Sequence, residues 1–425
     1  MSLDRKAFLV RTGAVLAAAG LGEELWRAVD EGGGDAEAHA FSSWAAVRQQ
    51  FRLSKDVVQL TAFLLASHPA PVRRAIEQHR RGLDANPVEY LHSNWSRLDA
   101  AVLREAARYL GARPTDIALT DSTTMGLGLL YNGIDLRAGQ EALTTAHDFF
   151  ATHDSLRFKA ARSGATVNTV TLYNQSAAAS EDEIVARLIA GVTPRTRVVA
   201  VTWVHSSTGV KLPIRRIADA LAAVNKGRAD AERALLCVDG VHGFGVENVT
   251  VGDLGCDFLV AGCHKWLFGP RGTGLVWGAP SVWPAATPTI PSFTDAGTPA
   301  SAFTPGGFHS YEHRWALAQA FQFHRQIGKA RIAARIHQLN RQFKAGLASM
   351  SHVTLHTPRA DALSAGLICF ELEHLSPGAV VQGLQAQGIV ASETPYTPTY
   401  ARVGPGVLNT PGQVTKALNA IRRLR

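Results

Sequence analysis

From about residue 43 onward, two hydrophobic rhythms alternate along the chain. Over 72–83 and 97–110, apolar positions return every three or four residues with charges on the opposite face, the spacing of amphipathic helices. Short continuous apolar runs at 117–120, 167–172, 197–204, 234–238 and 258–261 have the length of buried strands. Helical stretches at 181–190 and 214–224 lie between them. Strand, helix, strand repeated over roughly 200 residues predicts an α/β unit on a mostly parallel sheet. Near residue 300 the pattern changes: helices are expected at 313–329 and 332–349, a strand at 367–372 and a closing helix at 411–424. The organisation expected is therefore a leading segment and linker over 1–40, a large domain over 41–300 and a smaller α/β C-terminal domain over 301–425.

Composition narrows the function classes. The 425 residues carry 46% hydrophobic and 18% charged side chains, as a folded globular protein does. The net charge of +8 is scattered, and its longest clusters (His79-Arg80-Arg81, Arg422-Arg423) are too short for a nucleic-acid footprint. No run reaches the ~18 apolar residues of a membrane span. None of the four cysteines sits in a CxxC pair, so neither a zinc site nor a disulfide framework is expected. At the N-terminus, Asp4-Arg5-Lys6-Ala7-Phe8-Leu9 and the apolar run 12–21 resemble a twin-arginine export signal, with Ala36-Glu37-Ala38 as a cleavage site. That reading places the protein in the periplasm. The missing second arginine and Glu23-Glu24 support the alternative, an amphipathic helix of a cytoplasmic protein.

Chemistry concentrates between Leu235 and Gly274. One apolar run ends in Asp239-Gly-Val-His242, and another ends in Gly262-Cys-His264-Lys265-Trp266. In open α/β sheets, ligand-binding groups gather beyond strand ends. A lysine there, among apolar and aromatic neighbours, loses its proton easily, as a Schiff-base lysine must. An aspartate at a neighbouring strand end can keep a pyridine nitrogen protonated and make its ring an electron sink. No GxGxxG follows the first strands, and Gly126-Leu-Gly128 comes too late in its helix to serve a dinucleotide.

With Asp-Gly-x-His and Gly-x-His-Lys-Trp at this spacing, the sequence resembles the class V aminotransferase family over roughly residues 55–425, on its isopenicillin N epimerase-like branch. The resemblance implies the fold-type I transferase architecture, pyridoxal 5′-phosphate (PLP) as cofactor, a homodimer and an amino-acid-like small-molecule substrate. Lys265 and Asp239 take the roles just described. Thr120-Asp121-Ser122-Thr123-Thr124-Met125-Gly126 resembles the phosphate cup, with Ser122, Thr123 and Thr124 against the anion; an ordinary helix cap would use the same residues. His147 matches the residue that stacks on the cofactor ring, with Phe149 and Phe150 as rivals. His242 stands where a group meets the cofactor's phenolic oxygen, and His264 would contact phosphate. Ser206 stands where desulfurases have Asn. Arg402 matches the carboxylate-binding arginine, since a guanidinium can pair with a carboxylate through two hydrogen bonds. Thr61, Asn86 and Tyr90 fall in the stretch that lines the substrate side in relatives. Gly306-Gly-Phe-His-Ser310 lacks the threonine through which family members reach the partner's phosphate.

The reaction expected is proton abstraction at Cα by Lys265. Desulfuration is argued against because no cysteine lies between Leu372 and Arg402, where Gln385-Ala-Gln-Gly388 stands, and Cys369 falls within a buried run. Epimerisation, carbon–sulfur lysis, transamination and decarboxylation stay open. An epimerase needs a second acid/base opposite Lys265, for which Tyr396 and Tyr400 are the candidates. A degenerate copy serving as a binding module would be expected to have lost Lys265, Asp239 or Arg402, and all three are present.

Overall fold

The computed structural model describes residues 41–293 and 297–424, so the export-like segment and linker at 1–40 lie outside the described residues. The described chain opens with helix α1 (Trp44–Arg48), strand β1 (Val58–Gln59) and helices α2 (Ala70–Ala85) and α3 (Pro87–Leu110). A seven-stranded sheet follows: β2 (Ile117–Thr120), β3 (Glu141–Thr145), β4 (Thr166–Val170), β5 (Thr196–Thr202), β6 (Leu235–Asp239), β7 (Phe258–Gly262) and β8 (Gly274–Gly278). Helices α4 (Thr123–Gly133), α5 (Phe150–Ser163), α6 (Glu181–Ala190), α7 (Ile214–Val224) and α8 (Val251–Leu254) connect them.

The strand order is β2-β8-β7-β6-β5-β3-β4, and only β8 runs against the rest. The period of two shows why the central strands are apolar throughout. Val198, Ala200, Leu235, Cys237, Phe258 and Val260 enter one core. Their alternates Val199, Val201, Leu236, Val238, Leu259 and Ala261 enter the core on the other face. The chain passes from β3 outward to β4, then returns to the other side of β3 for β5. That reversal opens a crevice beyond the strand ends.

Helices α9 (Pro299–Ala302), α10 (Tyr311–Ile327) and α11 (Lys329–Ala348) lead to strands β9 (Val353–Leu355) and β10 (Ile368–Leu372). Helix α12 (Pro377–Gln385), strands β11 (Ile389–Val390), β12 (Ser392–Glu393) and β13 (Ala401–Val403), and helix α13 (Pro411–Arg423) complete the chain. Four of these strands form an antiparallel sheet, β12-β13-β10-β9, over a core that includes Phe343, Ile368, Phe370, Val380 and Ile421. Two elements cross the expected division at residue 300. Helix α10 packs on α2 and α3, where Asp99 accepts hydrogen bonds from Arg314 (3.0 and 2.8 Å) and from the Trp315 indole (3.1 Å). Strand β1 pairs in parallel with β11, joining the N-terminal stretch to the C-terminal sheet. Among the described residues no helix is long and apolar enough to cross a membrane.

Candidate active site

The crevice floor is set by β6 and β7. Strand β6 ends at Asp239, which is buried; its Oδ1 accepts from the Val241 amide at 3.1 Å, and among the described residues no donor meets Oδ2. Burial pushes this carboxyl up to about 6, offset in part by the Val241 amide and by Lys265. Beyond β7 lies Lys265, whose Nζ is 3.5 Å from His242 Nε2. Burial pulls the Lys265 amine down to about 8; Asp239 opposes that shift and Arg402 adds to it. His242 is buried, its pKa pressed well below the usual imidazole range by burial, and its Nδ1 has no partner.

Over this floor the loop after β3 brings His147. Asp148 anchors that loop: its carboxylate accepts from Thr144 Oγ1 (2.8 Å), the Thr145 amide (2.7 Å) and the Thr202 amide at the end of β5 (2.7 Å). The His147 ring lies flat on Tyr173, centroids 4.0 Å apart and planes 8° apart. Tyr173 in turn meets His205 Nδ1 at 2.8 Å and Thr208 Oγ1 at 2.9 Å. Burial lowers the His147 imidazole to about 3, so the ring is neutral, and its buried Nε2 has no protein partner.

At the phosphate end, α4 starts beside the end of β7. Ser122 caps the helix by accepting from the Met125 amide at 3.1 Å. The neighbouring Thr123 Oγ1 is buried and unpartnered. Gly262 makes room there: a Cβ at that position would lie 2.8 Å from Thr123 Oγ1 and 3.2 Å from the His264 ring. Thr123, His264 and the helix N-terminus therefore border one small polar recess, while Thr124 is exposed.

Arg402, on β13, faces the crevice from the C-terminal sheet and is 3% exposed. Its Nη1 donates to the Ser206 carbonyl (3.0 Å), Nη2 to the Glu393 carbonyl (3.4 Å) and Nε to Ser392 Oγ (3.2 Å), with the Phe63 ring 4.7 Å from its Cζ. A guanidinium has five N–H donors, so one remains on each Nη, the pair a carboxylate takes in a bidentate grip. Among the described residues no carboxylate pairs with it.

The structure thus draws together Lys265, Asp239, His242, His147, Thr123, His264, Ser206 and Arg402. Phe149 and Phe150 lie beside His147, their rings 4.1 Å apart, and Phe150 is exposed. Thr61 contributes through its backbone, its carbonyl holding the turn that seats Phe63. Asn86 and Tyr90 are placed elsewhere. Asn86 is exposed at the joint of α2 and α3, and the Tyr90 hydroxyl is 3.0 Å from His79 Nδ1 in a cluster with Trp315. Tyr400 also leaves the site, stacking on His356 at 3.8 Å. Sequence reasoning missed Asp148, Tyr173 and His205. The Asp after His147 was the only local signal, because the other two act through contacts distant in sequence.

The unpartnered polar atoms fit PLP. Asp239 would meet its ring nitrogen, Lys265 its aldehyde carbon, His147 its ring face, and Thr123 and His264 its phosphate. A family model described as aminotransferase class-V matches residues 66–393. The isopenicillin N epimerase of Streptomyces clavuligerus is 26% identical over 349 residues, covering 78% of this chain and 85% of that protein. A probable cysteine desulfurase of Vibrio cholerae is 23% identical over 410 residues, covering 89% and 97%. Among solved structures, a C-DES variant with glycine covalently linked to its PLP cofactor superimposes with a TM-score of 0.79 at 21% identity, covering 88% of this chain and 99% of that one.

Proposed function

This chain belongs to the aminotransferase class-V family and takes PLP as its cofactor; on that premise we propose that it removes the Cα proton of an amino acid or amino-acid-containing metabolite, with Lys265 as the base. The observation that carries this reading is the placement of the Lys265 amine beyond β7, beside His242 and near buried Asp239, with the buried Arg402 guanidinium facing the same crevice. Burial lowers the amine below the ordinary lysine range, so it gives up its proton more readily and can serve as a base near neutral pH. Arg402 supplies the carboxylate grip that orients Cα over that amine. Asp239 stays mostly ionised at pH 7 and can hold a proton on the ring nitrogen. The bound cofactor supplies the electron sink for the pair left at Cα. We take the working assembly to be a homodimer.

Desulfurases stand among the relatives, so their chemistry is the second reading. It requires an accessible thiolate near the substrate. The four cysteines are all buried, and burial pushes the Cys369 thiol, on β10, up to about 12. The loop before Arg402 carries no cysteine. These features favour a lyase, epimerase or transaminase outcome. Carbon–sulfur elimination and transamination follow from the same first proton removal, whereas decarboxylation begins with the carboxylate that Arg402 holds.

Deuterium exchange tests the proposal. Incubated in D₂O with each chiral proteinogenic amino acid in both configurations, the holoenzyme exchanges Cα–H of at least one, read by proton NMR. Lys265→Ala, reconstituted with PLP, exchanges at least ~100-fold more slowly. Full exchange by that variant would place the base elsewhere.

A further inference from the structure

The loop between β12 and β13 brings a phenol to the site. Tyr396 is half-buried, and its hydroxyl lies 2.7 Å from Ser206 Oγ. The main-chain carbonyl of the same Ser206 accepts from Arg402 Nη1, so the phenol stands one residue away from the carboxylate grip. Its ring meets Phe149 edge-on, 6.1 Å between centroids, and Phe149 is two residues beyond His147. Lys265 stands beside His242 on the floor, whereas Tyr396, on the β12–β13 loop, stands beside Ser206 and Phe149. The two proton-bearing side chains therefore come from different parts of the fold, one beyond β7 and one from the C-terminal sheet, and share no hydrogen-bond partner among the described residues. The other candidate, Tyr400, faces away onto His356.

Resting on the proton-abstraction reading above, we infer that Tyr396 is the second acid/base of this site, donating its phenolic proton to Cα from the side opposite Lys265. The balance is simple. The Cα–H bond breaks to Lys265 Nζ, and the electron pair stays with the cofactor-bound amino acid. A new C–H bond then forms from the Tyr396 O–H on the other face, inverting Cα. The phenolate recovers its proton from water, and Lys265 returns the one it took. Water has a route, because an open cleft of about 470 Å³ is lined by Glu393, Thr394, Tyr396 and Thr399. Burial raises the Tyr396 phenol above its ordinary value, so it carries its proton at neutral pH and acts first as a donor. Ser206 Oγ holds the hydroxyl in place.

The test pairs an exchange assay with a binding assay, comparing the parent holoenzyme with Tyr396→Phe. In D₂O, the parent exchanges Cα–H of both configurations of a responsive amino acid and interconverts them. In Tyr396→Phe, the configuration whose Cα–H faces Lys265 still exchanges, within about threefold of the parent. Exchange of its mirror image and interconversion fall at least ~100-fold. Aminooxyacetate, which offers Arg402 a carboxylate but no Cα proton chemistry, binds both proteins within about twofold. Equal slowing of both configurations, no slowing, or lost aminooxyacetate binding would each overturn the assignment, the last making Tyr396 a positioning residue for Arg402. A parent enzyme that exchanges no amino acid would overturn the proton-abstraction reading itself, and this inference with it.

Discussion

A lysine is useful in this site because burial makes it uncomfortable. Its folded-state pKa of about 8 lies below the ~10.4 of an unfolded lysine, so below pH 8 both states bind the proton and the folded protein bears the full cost. Between about pH 8 and 10.4 the unfolded state binds more protons, and stability contributed at this position rises with pH. Lys265→Met apo-protein should therefore melt above the parent at pH 7, with the gap closing across that window; a constant gap from pH 7 to 10.5 would contradict the shift. Arg402 shows the complementary logic, a buried cation whose two remaining donors await an anion. Arg402→Leu should bind aminooxyacetate about 10- to 100-fold more weakly, the value of a charge-assisted pair, while O-methylhydroxylamine, which lacks the carboxylate, binds as before. At this scale the sequence was informative where one residue ends an apolar run. Asp239 and Lys265 could be read that way. The Ser206–Tyr396 pair spans 190 positions and leaves no local trace.

Among the elements, the phosphate recess depends on two backbones passing closely rather than on side-chain identity alone. Helix α4 seats on the sheet through Gly126, where a Cβ would fall 2.6 Å from Val260 Cγ1. Its N-terminus meets β7 at Gly262. Gly262→Ala should weaken PLP binding at least ~10-fold by displacing Thr123 and His264, measured by fluorescence titration of apo-protein; unchanged affinity would remove those residues from the phosphate site. Helices with clear 3.6-residue rhythm and strands with long apolar runs were legible in the sequence. Strand β3 was not, because it starts with Glu141, a buried carboxylate satisfied by Thr193 and Arg195 from the turn that leads into β5. Strand β8 was hidden by its composition, since Gly274 and Gly278 frame only three apolar residues.

For the whole molecule, the two halves meet at the crevice, one supplying the cofactor floor and the other Arg402 and Tyr396. The division expected at residue 300 was harder to read, because α10 returns to the N-terminal helices and β1 joins the C-terminal sheet. Near the phosphate recess, Phe308 is 81% exposed and Phe293 58%, and their rings meet edge-on. His309 lies 3.5 Å from Asp121, one residue before Ser122. If this face joins two copies, Phe308→Glu should shift the protein toward monomer in light scattering coupled to gel filtration. A parent already monomeric at micromolar concentration would contradict the homodimer.

One covalent bond, between Lys265 and the cofactor, underlies all of this chemistry. The purified protein reconstituted with PLP should absorb in the roughly 410–430 nm range, and borohydride should abolish that band and fix the cofactor to a single peptide containing Lys265. A band fixed on another lysine, or no band at saturating PLP, would contradict it.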